Sequence, residues 1–172
     1  MSSLPARRPQ EDEFILTHTV DAPRALAFGA WVDCDLFTRW WGPRGFSIPF
    51  CSINARPGGL LHYAMRAPDG KEYWARGIYL EVVRREYLSW IDSFSDHQGH
   101  LVWPEDVGMS AVWPVESLVE VTFSDFGERT VVTLHSHVSP DTIEAQDAMQ
   151  GWAESFEKLD ELLDELAREA RH

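Results

Sequence analysis

Apolar and polar positions along the chain fall into two periodicities that predict a sheet followed by one long helix. Residues 14–20, Phe-Ile-Leu-Thr-His-Thr-Val, read as a strand. Asp21-Ala22-Pro23 then predicts an N-cap with proline in the first turn of a short helix reaching Trp31. Asp33 predicts the cap of a second short helix, stopped near Trp40-Trp41-Gly42-Pro43. From Phe46 to Phe94 the runs are strand-like. They are cut by Arg56-Pro57-Gly58-Gly59, Pro68-Asp69-Gly70 and Arg84-Arg85-Glu86, which predicts a four-strand meander. Alternation assigns Leu61, Tyr63 and Met65 to the core, then Trp74, Ile78, Leu80 and Val82, then Leu88, Trp90 and Phe94. Residues 95–114 are rich in turn formers and predict a long ordered excursion that covers something. Two more strands, 118–124 and 130–138, meet at Asp125-Phe126-Gly127-Glu128.

The closing segment, 141 to about 168, changes period. Met149, Trp152, Phe156, Leu159, Leu163 and Leu166 step by three and four, while the acidic residues fall mostly elsewhere. Such a helix needs a cover, and the concave side of the sheet is the large apolar surface available. The expectation is an α+β fold, one domain over 13–170 with a mobile arm at 1–12.

Composition narrows the partners. The chain has 172 residues, 44% of them hydrophobic, with eight Trp and nine Phe, enough for one well-filled core. A net charge of −13 argues against nucleic acid and anionic membrane as partners. Cys34 and Cys51 have neither the spacing of a redox or zinc pair nor the number of a secreted disulfide scaffold, which points to a reducing cytoplasm. No run resembles a signal peptide or a membrane span.

The order of elements and several strings resemble a known family. They are Trp40-Trp41-Gly42-Pro43, Arg56-Pro57-Gly58-Gly59, Pro68-Asp69-Gly70, Gly77-Ile78-Tyr79-Leu80-Glu81-Val82, Phe94-Ser95-Asp96, Trp113-Pro114, Val121-Thr122-Phe123 and Gly151-Trp152 with Leu159 and Leu162. Together the strings resemble the activator of heat shock protein 90 ATPase homologues, within the START-like (SRPBCC) superfamily. The resemblance implies a helix-grip fold, a seven-stranded antiparallel sheet around the long C-terminal helix, with two short helices after the first strand. It also implies a cavity that related proteins use for lipids, hormones, polyketides or nothing identified. Where the family usually has an aspartate before the Arg-Pro-Gly-Gly turn, this chain has Asn54-Ala55.

Chemistry is sparse. No GxGxxG, GxxxxGK[ST] or GxSxG pattern occurs, so no nucleotide cofactor and no serine hydrolysis are expected. His135 and His137 share one face of a strand, but no carboxylate stands near them in sequence, and the reading is a wet outer face without metal. His97 and His100 lack a cysteine pair and read as solvated. Parity turns Arg76 inward with Trp74 and Ile78. A three-residue loop at 84–86 pairs Leu80 with Trp90 and Ile78 with Asp92, so Asp92 lies diagonal to Arg76. That pair either neutralises itself or orients the polar end of a ligand. The expected wall of the cavity comprises Trp40, Trp41, Leu61, Tyr63, Trp90 and Trp152, with Trp74, Arg76, Ile78, Asp92, Met149 and Phe156 completing it.

The function expected is binding of a small hydrophobic or aromatic molecule without a reaction. A co-chaperone-like interaction module stimulating a chaperone ATPase is the alternative. An enzyme of cyclase or hydrolase type is the third reading, with Arg76, Asp92, Tyr63 and His62 as its candidate groups. A homodimer is compatible with each.

Overall fold

The computed structural model of the chain describes residues 13–110, 113–139 and 141–170. The arm expected at 1–12 lies outside them. Strand β1 (Phe14–Val20) leads into α1 (Arg24–Val32) and α2 (Cys34–Phe37). The meander follows as β2 (Ser47–Ile53), β3 (Leu60–Arg66), β4 (Glu72–Val83) and β5 (Tyr87–Phe94), and the sheet ends with β6 (Ser117–Phe126) and β7 (Arg129–Ser136). The order is β1-β7-β6-β5-β4-β3-β2, antiparallel throughout. The helix-grip expectation holds: helix α3 (Ile143–Ala170) buries Phe156, Leu159, Leu162 and Leu163 against the curled sheet. Its start is two residues later than the sequence suggested, because the Thr142 hydroxyl accepts the Ala145 N–H at 3.0 Å and serves as the cap. Asp21 caps nothing. Pro23 holds the α1 N-cap position without a side-chain bond, and Asp21 instead faces Arg129 at 3.8 Å.

One bulge decides what the sheet presents inward. Val83 pairs with Tyr87, Val82 with Leu88 and Glu81 with Ser89, as a three-residue loop requires. Trp90 then pairs with Tyr79 in place of Leu80. One extra residue in a strand reverses the facing of everything beyond it. Tyr73, Ala75, Gly77 and Tyr79 therefore turn inward, and the expectation for Trp74, Arg76, Ile78 and Leu80 is corrected: all four lie on the outer face, Leu80 being 47% exposed. Two contacts explain why the bulge sits there. The β2–β3 turn docks on Tyr79, whose N–H donates to the Gly59 carbonyl at 3.0 Å and whose carbonyl accepts from Gly58 at 2.8 Å. Glu81 N–H, displaced by the bulge, finds the Ser89 hydroxyl at 3.2 Å.

Gly77 is the inward residue that the Trp90 indole requires. A Cβ there would come within 2.5 Å of Trp90 Cδ1. Trp90 is one member of an aromatic core in which Trp31 meets Trp40, Trp41, Phe156 and Trp152 at ring separations of 4.7 to 6.1 Å. The indole N–H of Trp40 donates to the Ala30 carbonyl at 2.8 Å, which lets that ring be fully buried.

The cysteines also depart from expectation. Cys34, at the start of α2, and Cys51, in β2, form a disulfide with Cα atoms 5.8 Å apart. Spacing in sequence carried no sign of it, because the two meet only when α2 folds against the edge strand.

Candidate functional site

The inner face of β4 is nearly bare at Ala75, and residues of α3 border that space without filling it. The result is a cavity of about 350 Å³. Trp41, Tyr63, Phe94 and Trp152 supply aromatic walls; Met65 and Val119 add aliphatic ones. The long excursion predicted at 95–114 covers two places. Its first part lies on the outer face, where His62 Nε2 meets the Asp96 carbonyl at 3.2 Å and Arg76 donates to the Gly99 carbonyl at 2.8 Å. Its second part contains a 3₁₀ turn, Pro104–Val107, and brings Met109 and Trp113 to the cavity mouth. Ser110 N–H donates to Glu144 at 3.0 Å, tying this segment to the first turn of α3.

Polar groups in the cavity are few. Asp92, on β5, is partly buried and lines it. Desolvation by the apolar walls pushes its carboxyl up to about 7, although the Trp90 indole N–H, 3.3 Å from Oδ1, partly offsets this. Tyr63 is held well above the usual phenol range, first by burial and then by the Asp92 charge. Glu144 and Asp147 sit with Met109 and Trp113 in the lining, so among the described residues the cavity carries carboxylates and no Lys or Arg.

Of the residues expected to form the wall, Trp41, Tyr63, Asp92 and Trp152 do line the cavity. Trp40, Leu61, Trp90 and Phe156 are core residues packed behind it, and Met149 packs partly buried against that core. Trp74, Arg76 and Ile78 are on the opposite face. Trp74 packs there against Phe50 and His62, tilted rings 5.3 and 5.2 Å away. The Arg76–Asp92 pair does not form, since the bulge places Gly77 opposite Asp92. Ala75, Phe94, Met65 and Trp113 were missed as lining residues. A small residue at 75 was the available sign of a gap.

A second cluster lies on the outer face of β1, β7 and β6. His135 pairs across the ladder with Glu120, and β1 enters beside β7 so that Glu13 stands next to both histidines. Glu13 Oε2 is 2.5 Å from His135 Nε2 and 3.2 Å from His137 Nδ1. Glu120 Oε1 is 2.8 Å from His137 Nε2 and 3.8 Å from His135 Nδ1. The histidines lie on the outer face as expected but are largely buried there, and strand order brings them two carboxylates from distant sequence.

Residues 21–164 match the family described as activator of Hsp90 ATPase homolog 1-like protein. The chain belongs to that family. Solved structures similar to this family member carry the same fold across nearly its whole length. A protein from Chromobacterium violaceum shares 22% identity at a TM-score of 0.74, covering 90% of this chain and 98% of that one. One from Staphylococcus epidermidis shares 26% at 0.72, covering 92% and 93%. The AHSA1 protein of Silicibacter pomeroyi shares 19% at 0.70, covering 91% and 99%. No curated protein is similar enough to the chain to match it. Among the described residues no helix is long and apolar enough to cross a membrane.

Proposed function

We propose that this member of the family binds a small, largely apolar molecule in the cavity between the sheet and α3, and that the polar end of the ligand is a hydrogen-bond donor directed at Asp92. The observation that carries the reading is the lining: aromatic and aliphatic walls around one desolvated carboxyl, with volume left open beside the small Ala75. About 350 Å³ lies at the small end of the range typical of ligand cavities, which suits a molecule of one or two rings. Asp92 accepts from an amine or hydroxyl, while the acidic mouth at Glu144 and Asp147 disfavours anions. The co-chaperone reading draws on the family and on Trp103, 59% exposed in the excursion, but it gives the cavity no task.

Naphthylmethylamine and naphthoic acid share a ring body and differ in the charge of the end, so they separate the elements of this reading. Tryptophan fluorescence and titration calorimetry should show the amine binding at least tenfold more tightly, since a buried charged contact contributes on the order of 1.5 kcal/mol or more. Ala75→Phe should abolish binding of both by filling the cavity, with folding retained. Equal binding to wild type and Ala75→Phe would place the ligand elsewhere and sink the proposal. A preference for the acid would overturn the role given to Asp92.

A further inference from the structure

We propose that Glu13, His135 and His137 form a binding site for a divalent transition-metal ion, with Glu120 as the carboxylate that orients the two imidazoles. The side chains involved point away from the cavity. Phe14, Ser136 and Val119 alternate with them and line it, so the two sites occupy opposite faces of the same three strands.

A histidine binds a metal through one ring nitrogen while the other carries a hydrogen that needs an acceptor. The cluster provides both for His137 and sets the second nitrogen of His135 near the same acceptor. His135 Nε2 and His137 Nδ1 converge on Glu13 Oε2, and ligand atoms of the three residues all lie within 4.8 Å of one another. The remaining nitrogens turn to Glu120 Oε1, at 2.8 Å for His137 and 3.8 Å for His135. Glu120 is itself fixed, because the Tyr87 hydroxyl donates to its other oxygen at 2.7 Å. The two rings are stacked, 4.3 Å apart and inclined by 17°, so both present their edges in one direction.

Dimensions agree with this assignment. Zinc bonds to nitrogen and oxygen are about 2.0–2.2 Å, which sets neighbouring ligand atoms about 3.3 Å apart in a tetrahedral site. The present separations from Glu13 Oε2, 2.5 and 3.2 Å, reach that value by small side-chain rotations. Two imidazoles and one carboxylate suit zinc, iron, cobalt or nickel more than calcium or magnesium, which take oxygen alone. Three protein ligands leave a position for water, and side-chain exposures of 15% and 23% for the histidines give an ion access from solvent.

The test uses the full chain without an affinity tag, freed of metal by chelator, and titrated with Zn²⁺ by calorimetry and with Co²⁺ by visible absorption. One equivalent should bind, Co²⁺ should give absorption of nitrogen and oxygen coordination below six, and Zn²⁺ should raise the melting temperature until one equivalent is reached. The double variant H135Q/H137Q should weaken Zn²⁺ binding at least a hundredfold. E120Q should weaken it by about 10- to 100-fold while the stoichiometry stays at one, the effect typical of a lost orienting carboxylate. E13Q repeats the ligand test at the strand edge should the double variant not fold. Absence of saturable binding at about 100 μM Zn²⁺ overturns the site, since a formed transition-metal site binds far more tightly. Unchanged affinity in H135Q/H137Q or in E13Q overturns it too, leaving the cluster a ladder of ion pairs.

Discussion

Asp92 and Glu120 stand on neighbouring strands, β5 and β6, yet their environments drive them in opposite directions. Asp92 faces the cavity. Apolar walls desolvate it, the Trp90 indole is its one hydrogen-bond donor among the described residues, and its carboxyl is pushed up to about 7. Glu120 faces outward. Burial opposes its charge as well, but hydrogen bonds from His137 and Tyr87 and the adjacent His135 outweigh that and hold it below the usual carboxylate range. The difference shows how burial with a single donor raises a carboxyl, while partial burial with several donors keeps it charged. It also separates the two candidate sites chemically: one awaits a donor, the other is already organised to hold positive charge.

The largest test of this contrast is Asp92→Asn. A carboxyl with a folded value near 7 and an ordinary value of 3.8 in the unfolded chain makes the native state bind more protons between those limits. Its contribution to stability is complete below about pH 4, is lost as pH rises through 7, and is level above. Asp92→Asn should remove that slope and exceed wild type above pH 7 by a few kcal/mol at most, the upper bound that the shift permits. Denaturant melts at pH 5 and pH 8 measure it, and parallel changes in both proteins would remove the desolvated carboxyl from the account.

Glu120→Gln should act with the opposite sign and more weakly. A depressed value contributes stability at neutral pH that disappears as pH falls below about 4.5 through the folded value. The variant should lose about 1 kcal/mol at pH 7, in chelator, and the gap should close in acid, as expected of a partly exposed charged hydrogen bond. A gap that widened in acid would contradict the donors assigned to it.

The smallest effect belongs to Arg76→Leu. Arg76 faces outward and donates to the Gly99 carbonyl, so the variant should cost about 1 kcal/mol or less and leave naphthylmethylamine binding unchanged. Lost binding would return Arg76 to the inner face and refute the bulge.

Much of the fold was legible. The helical step of Phe156, Leu159 and Leu163, the turn at Arg56-Pro57-Gly58-Gly59 and the strand alternation of Leu61 and Tyr63 are local patterns, and each followed from spacing alone. The facing of Trp74, Arg76, Ile78 and Leu80 on β4 was misread because alternation counts residues and a bulge inserts one uncounted. Gly77 and Ala75 carried the correction, being small residues on a strand where a close approach or a gap had to follow. Tyr63 and Asp92 line the cavity because alternation on β3 and β5 gives their inward facing, and Trp152 because the helical step of α3 does.

By itself, the sequence determined the elements, their order, the buried face of α3 and the family, since these depend on periodicity and short motifs. Tertiary structure alone decided the facing of β4, the Cys34–Cys51 pair and the meeting of Glu13 with His135, His137 and Glu120. Those features join residues from strands distant in sequence. Their spacing is set by strand order and register, which no local pattern encodes.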